Sequence, residues 1–339
     1  MTDAVSPSPE HIVVSFDRSD RLRMQFSGPK AAESLTGLVT NDVLALRGGD
    51  GLYACALTAK GRVISDVRIL AMPADDAAVT SLLVDANAAG GVGFATMIRK
   101  YVNPRLAKYV DVSATTSCLT LDGAGAIALL NTLGADASET DAVASGPAFT
   151  HRTIVAAGVP VRLVRVPDLG ADTTFDLHVD RDAVAVLAAA LTAAGALRGD
   201  TAEWNRRRVL AGRPEWGADM DESTLAQEAN MDALHAISYR KGCYTGQETV
   251  ARVHFRGHVN RTLRCVRHAD GTIPAIGTTL SGSDGAALGD ARSAAEVDGG
   301  TAIGLAMLRR EVPANATLTW LDGHEQPHSV VVLDAADEA

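Results

Sequence analysis

The chain is poor in aromatic residues, and that scarcity limits how its core is made. Phe, Trp and Tyr make up 4% of the 339 residues, so the interior has to rest on Ala, Val and Leu. Cysteine is scarce too: Cys55, Cys118, Cys243 and Cys265 lie far apart and form no C-x-x-C pair. That spacing suits neither a zinc ribbon nor a disulfide scaffold, and it predicts a reduced, cytoplasmic protein. No apolar run approaches ~18 residues free of charge, so no membrane span is expected. The opening residues, MTDAVSPSPEH, hold no apolar stretch, and no secretory signal is expected there. Positive charge is in the minority: 31 Lys and Arg face 41 Asp and Glu, a formal charge of −10. A chain that coats nucleic acid is therefore not expected, although a local basic patch remains open.

What the chain does contain falls into periodic segments. Hydrophobic residues make up 47% and charged residues 21%, as in ordinary globular domains. The length suits roughly two or three domains of ~100–200 residues each. Residues 11–26 read as two short strands joined by a turn at Asp17–Asp20. Ser27-Gly28-Pro29 opens a helix, because proline fixes φ in a first turn that needs no N–H; Ala32, Leu35 and Leu38 supply its apolar stripe. Further strands are expected at 52–58, 62–70, 79–85, 117–122, 161–166 and 174–179. Asn87 can cap a helix whose Phe94, Met97, Ile98 and Tyr101 form one face. Two more helices are expected, one over 182–194 and one that starts at Asp200-Thr-Ala-Glu203, runs through Trp204 to Ala211 and stops at Gly212, with Pro214 beyond. From Val259 the texture turns to Gly-rich short strands, which sets a boundary near Gly257. Mixed strands and helices followed by a β-rich tail define an α+β fold in two parts, 10–256 and 257–336.

One stretch asks for more than packing. From Arg240 to Arg252, RKGCYTGQETVAR combines cations, a thiol, two glycines and a Gln-Glu pair. The thiolate is the reactive form of cysteine, and cations such as Lys241 and Arg240 lower a thiol pKa. Gly242 and Gly246 permit a close backbone approach, and Gln247 and Glu248 can fix a polar ligand's orientation. Such a loop can hold a nucleophile, a metal ligand or a polar hinge; the plain alternative is an inert, buried cysteine. Beyond it, Arg252, His254, Arg256, His258, Arg261, Arg264 and Arg267 alternate as on one strand face. That face is either simply solvated or turned toward an anionic partner. With only Phe255 interleaved, it lacks the stacking platforms of single-stranded nucleic-acid binding.

The octapeptide KGCYTGQE, followed by VARVHFRGHVNRTL, strongly resembles the signature of the YgfZ branch of the glycine-cleavage T-protein superfamily. AAESLTGLVTNDV, LYACALTAKGRVISDVRIL, RRVLAGRPEWG and AIGLAMLRR are similar to further family segments, in the family's order. The resemblance implies a three-lobed ring of two interwoven α+β subdomains and a C-terminal β-barrel, with tetrahydrofolate or a one-carbon derivative in the central hole. It implies a folate-binding protein that supports assembly or repair of iron–sulfur proteins, with iron–sulfur client or assembly proteins as partners. The rival is a folate-dependent aminomethyltransferase or a demethylase relative. Cys243 would carry the distinctive chemistry, by attack, ligation or redox sensing, with Lys241 lowering its pKa.

Three further assignments rest on the same resemblance. Asp176 matches the acid that receives the pteridine ring's donors. Asp66 stands where the transferases carry two adjacent acids and this chain has Ser65 and Asp66; it would serve as polar anchor or general base. Arg208 matches the arginine of L-R-L-E-A-G, whose glutamate is Leu210 here, a departure from the transferase pattern. A folate carboxylate suits an arginine, and which arginine serves is open. Tyr244 and Gln247 complete the expected ligand-facing set.

Overall fold

The structure, a computed structural model, describes residues 12–73, 79, 81–170, 173–297 and 299–334. The stretch read for a secretory signal lies outside the described residues, as do residues 10–11 and 335–336 at the ends of the two expected parts.

Alternation along the strands sets the architecture. β7 (Thr116–Asp122) and β10 (Thr174–Asp180) pair antiparallel and are buried along most of their length, yet polar and apolar residues alternate on them. Leu119, Leu121, Phe175, Leu177 and Val179 enter one hydrophobic core. Cys118, Thr120, Asp122, Thr174, Asp176 and His178 fall on the other face, because successive strand residues point to opposite sides. These strands belong to a six-stranded sheet in the order β11 (Leu197–Arg198), β1 (Val14–Asp17), β7, β10, β9 (Val159–Arg165), β8 (His151–Ala156). Its apolar face is covered by α3 (Ala126–Thr132), α4 (Ala137–Ala144) and α5 (Val184–Ala193).

A second, five-stranded sheet runs β3 (Gly51–Leu57), β4 (Val63–Ala71), β5 (Ser81–Ala86), β2 (Leu22–Ser27), β6 (Lys108–Asp111). Phe26, Ala54, Val67, Ile69 and Val84 pack there with Leu35 of α1 (Ala31–Thr36) and with Phe94 and Ile98 of α2 (Ala88–Tyr101). Asn87 caps α2 as its sequence foretells, accepting from the Ala89 N–H at 2.9 Å. The polar faces of the two sheets meet, and charge joins them: Arg68 on β4 donates to Asp176 on β10 at 2.5 Å. The subdomains are interwoven because β1 joins the six-stranded sheet, β2 to β6 build the other, and β7 returns. The two strands flanking the Asp17–Asp20 turn therefore do not pair with each other; β1 pairs with β7 and β11, β2 with β5 and β6.

Asp200 caps α6 (Thr201–Leu210) by accepting from the Glu203 N–H at 2.8 Å. The next helix corrects the sequence reading. Residues 247–256 are not a loop running into a strand but α7 (Gln247–Arg256), so the basic residues from Arg252 to Arg256 are helical. A closed barrel follows: β12 (Arg261–His268), β15 (Thr301–Arg309), β14 (Ala287–Val297), β13 (Thr279–Ser281), β16 (Thr317–Leu321) and β17 (Pro327–Val332). Val266, Ala306, Leu308, Leu318, Val330 and Val332 fill one of its cores. Leu263, Cys265, Leu305 and Met307 alternate with them and pack against Val209 of α6. Cys265 is thus buried between barrel and helix.

Candidate functional site

The hairpin of β3 and β4 carries the first wall of a cleft between the lobes. Tyr53 and Cys55 lie opposite Arg68 and Asp66 in its register, so the four side chains share one face. The Tyr53 hydroxyl donates to Asp66 Oδ2 at 2.9 Å. Burial first, then the Asp66 carboxylate, pushes the Tyr53 pKa well above its ordinary value, which keeps the phenol a donor. The other carboxylate oxygen, Asp66 Oδ1, is buried without a hydrogen-bond partner, in a residue only 8% exposed. A buried acceptor left unmade costs about 1–3 kcal/mol, which makes it a place where a ligand donor would be stabilising.

The rest of the lining is arginine and aromatic ring. Arg18, Arg21, Arg68, Arg208 and Arg213 line a cleft of about 550 Å³, open mouth included, with Tyr53, Phe149, Trp204 and Trp216. Two of the chain's three tryptophans are spent here, in a protein short of aromatics. The Tyr53 and Phe149 rings stack with centroids 6.2 Å apart and planes 18° apart. Phe149 does so from a left-handed backbone, φ 68°, rare for a bulky residue and typical of strained functional positions. Arg18 lies over the Trp204 ring at 3.8 Å and faces Glu215 at 3.4 Å. Burial, then neighbouring Arg21, lowers the Arg18 pKa. For Arg21 burial also opposes the charge, but Asp85, Asp66 and Asp176 outweigh it and hold the pKa above its ordinary value.

The expected residues divide between this cleft and the octapeptide. Asp66 lines the cleft. Asp176 does not take an exposed, ligand-facing place: it is buried, with Oδ1 accepting from Thr120 Oγ1 at 2.5 Å and Oδ2 from Arg68. Arg68 is the residue it presents to the cleft. Arg208 lines the cleft too, but donates to Asp219, Asn205, Ser293 Oγ and the Arg213 carbonyl, which makes it a fastener between α6 and the barrel. Cys118, Asp176 and His178 bring one ligand atom each within 4.8 Å of one another. Arg68 and Thr120 already occupy Asp176, and burial raises the Cys118 thiol pKa well above its ordinary value, so this trio is a poor metal set.

None of Lys241, Cys243, Tyr244 and Gln247 lines the cleft. Lys241 is buried and clamps the end of α1, donating from Nζ to the Thr36 carbonyl and, at 2.7 Å, to the Val39 carbonyl. Burial lowers its pKa to about 8. The expectation that Lys241 serves the Cys243 thiol is therefore replaced: its ammonium is committed to two carbonyls on the buried side. Tyr244 is buried among Cys55, Leu57 and Val63, beneath the hairpin, and Lys241 Nζ sits 4.9 Å from its ring centroid. Gly246 has φ 85°, and a Cβ there would lie 2.6 Å from the Thr58 carbonyl and 3.2 Å from the Gly61 Cα. It lets the octapeptide lie directly on the turn between β3 and β4. Gln247 is half-buried at the first position of α7. Cys243 alone points out, and it is exposed while the other three thiols are buried.

Tyr53, Arg68, Trp204 and Arg213 were missed in the sequence. Period-two spacing was the available signal for two of them, since Tyr53 lies two residues before Cys55 and Arg68 two after Asp66.

Two sheets meeting through a polar layer beside an arginine-rich cleft, followed by a closed barrel, define an α+β protein of the aminomethyltransferase T fold. The crystal structure of glycine cleavage system aminomethyltransferase T from Bartonella henselae superimposes with a TM-score of 0.80, covering 96% of this chain and 86% of that one at 16% identity. Residues 10–239 match the GCVT N-terminal domain family, and the chain belongs to that family as a YgfZ-type member. An iron-sulfur cluster assembly factor IBA57 homolog, mitochondrial, from Neurospora crassa is 28% identical over 270 residues, 76% of this chain. The match spans 54% of that relative, about half its length. The tRNA-modifying protein YgfZ of Vibrio atlanticus is 24% identical over 269 residues, 77% of this chain and 72% of that protein. Among the described residues no helix is long and apolar enough to cross a membrane.

Proposed function

We propose that the cleft binds tetrahydrofolate or a one-carbon derivative, and that the protein supports assembly or repair of iron–sulfur cluster proteins. The observation that carries the ligand is Asp66 Oδ1, a buried acceptor without a donor in a cleft walled by rings and guanidinium groups. A pteridine offers a flat face to the rings and a row of N–H donors to a carboxylate. Asp66 takes the direct role, while Asp176 orients Arg68 and Arg208 holds the wall. Tyr244 acts through the hairpin it supports, and Gln247 opens the helix that follows. The iron–sulfur part rests on relatives whose names carry that role. Its reactive group is Cys243, exposed on the octapeptide that packs on the same hairpin turn. Four free cysteines favour a reducing compartment, and we assign the cytoplasm.

Calorimetric titration of the full chain with tetrahydrofolate and 5-formyl-tetrahydrofolate should show one site, weakened about ten- to a hundredfold by Asp66→Asn. No binding by the wild type ends the folate reading. Ammonia release from an aminomethyl-lipoyl carrier in the presence of tetrahydrofolate would instead make the protein an aminomethyltransferase, with Asp66 as its base.

A further inference from the structure

We propose that Arg213 anchors a carboxylate of the ligand in the cleft. The proposal rests on the folate reading and names the arginine that receives the glutamate end. Its first support is the company Arg213 keeps. Arg18, Arg21, Arg68 and Arg208, the other arginines of the lining, each have a carboxylate within 4.0 Å: Glu215, Asp85, Asp176 and Asp219. Arg213 has none among the described residues, and its guanidinium donates no hydrogen bond there. Burial lowers its pKa, against a raising influence from Tyr53 and with a smaller lowering one from Arg68, so the lone cation is held at some cost.

The second support is how firmly the backbone presents it. Gly212 follows α6 with φ 63°, its N–H reaching the Val209 carbonyl at 3.0 Å while the Arg213 N–H reaches the Arg208 carbonyl at 2.8 Å. This pair of bonds is a Schellman ending, which needs a left-handed residue where Gly212 stands. Pro214 then restricts Arg213 to extended backbone. The main chain that carries Arg213 is fixed on both sides, so gripping an anion there costs no backbone ordering.

The third support is what the cleft lacks. Trp204 Nε1 and Arg21 Nη2 are buried donors without partners in the same lining. The cleft is therefore short of acceptors, and Asp66 Oδ1 is its unused acceptor. A ligand with N–H donors at one end and an anion at the other completes both. A carbonyl would accept a bond yet leave the charge standing; a carboxylate does both and matches the guanidinium fork.

The test compares tetrahydrofolate, which carries the glutamate, with 6-methyl-tetrahydropterin, which keeps the ring and lacks it. Arg213→Met should weaken tetrahydrofolate about ten- to a hundredfold and leave the pterin unchanged. Arg213→Lys keeps the charge without the fork and should recover part of the loss. It carries the same comparison should the methionine variant not fold, its loss again confined to the glutamate-bearing ligand. Equal losses for both ligands, or no loss for either, overturn the anchor while folate binding stands. A wild type that binds neither ligand overturns the folate reading and the anchor with it.

Discussion

Lys241 and Cys243 stand two residues apart and face opposite surroundings, one clamped against carbonyls and the other in solvent. Exposure therefore separates the thiols. Iodoacetamide should modify Cys243 rapidly in the native protein. Cys55 and Cys118, whose pKa values burial pushes well up, should react only on unfolding, as should buried Cys265. Mass-spectrometric labelling reads this directly, and equal rates at all four would remove the exposed-thiol assignment. Lys241→Met should lower stability by about 1–3 kcal/mol, since the Thr36 and Val39 carbonyls lose their donor. The Cys243 alkylation rate should not change with it. The two glycines of the octapeptide also differ: Gly246 is sterically required, whereas a Cβ at Gly242 would meet nothing within 4 Å.

At the scale of elements, the octapeptide is a strap that ties the end of α1 to the turn between β3 and β4. The Thr245 N–H bonds to the Gly37 carbonyl at 3.1 Å, Tyr244 fills the core, and Gly246 rests on the turn. Gly246→Ala should therefore cost about 1–3 kcal/mol in urea unfolding, through both the left-handed backbone and the close carbonyl. A stability equal to wild type would deny the strap. Helix caps at Asn87 and Asp200 were legible because they are local, one side chain answering an N–H two or three residues on. The strand alternation of β4, β7 and β10 was legible for the same reason. α7 was not: its alternating Arg and His imitate a period of two, and among its residues only Val250 is fully buried, so no apolar stripe marks a helix.

For the whole molecule, stability depends on charges placed between lobes. Asp219 is fully buried and accepts from Arg208 on α6 and from the Ser293 N–H of β14. Arg208→Met should destabilise the chain by about 3–5 kcal/mol, because it strands that carboxylate. Denaturant unfolding measures it. Acid acts elsewhere. His151 accepts at Nδ1 from Arg162, at 3.1 Å, and donates from Nε2 to the Asp50 carbonyl, at 3.2 Å, so it is held neutral. Burial, then Arg162, lowers its pKa to about 4, against about 6.5 in the unfolded chain. Between those values the unfolded state binds the proton first, so stability is full above about pH 6.5 and falls as pH drops toward 4. Urea midpoints at several pH values should show this slope, and His151→Gln should flatten it. A slope unchanged by that substitution would remove His151 from the acid response.

By itself the sequence determined the α+β class, the alternation of its strands, the capped helix starts, and the family marker around Cys243. Each depends on residues close in the chain, where dihedral preference and periodicity act directly. Only the tertiary structure decided which side chains meet. Arg68 and Asp176 are 108 residues apart, and Lys241 lies 205 residues from Thr36. Such pairs exist because one chain weaves two sheets whose polar faces are brought together, and no local preference encodes that choice. Asp176 was expected to face a ligand and instead faces Arg68 for that reason: the facing sheet supplies its counter-charge, and Asp66 is left with the unpaired oxygen.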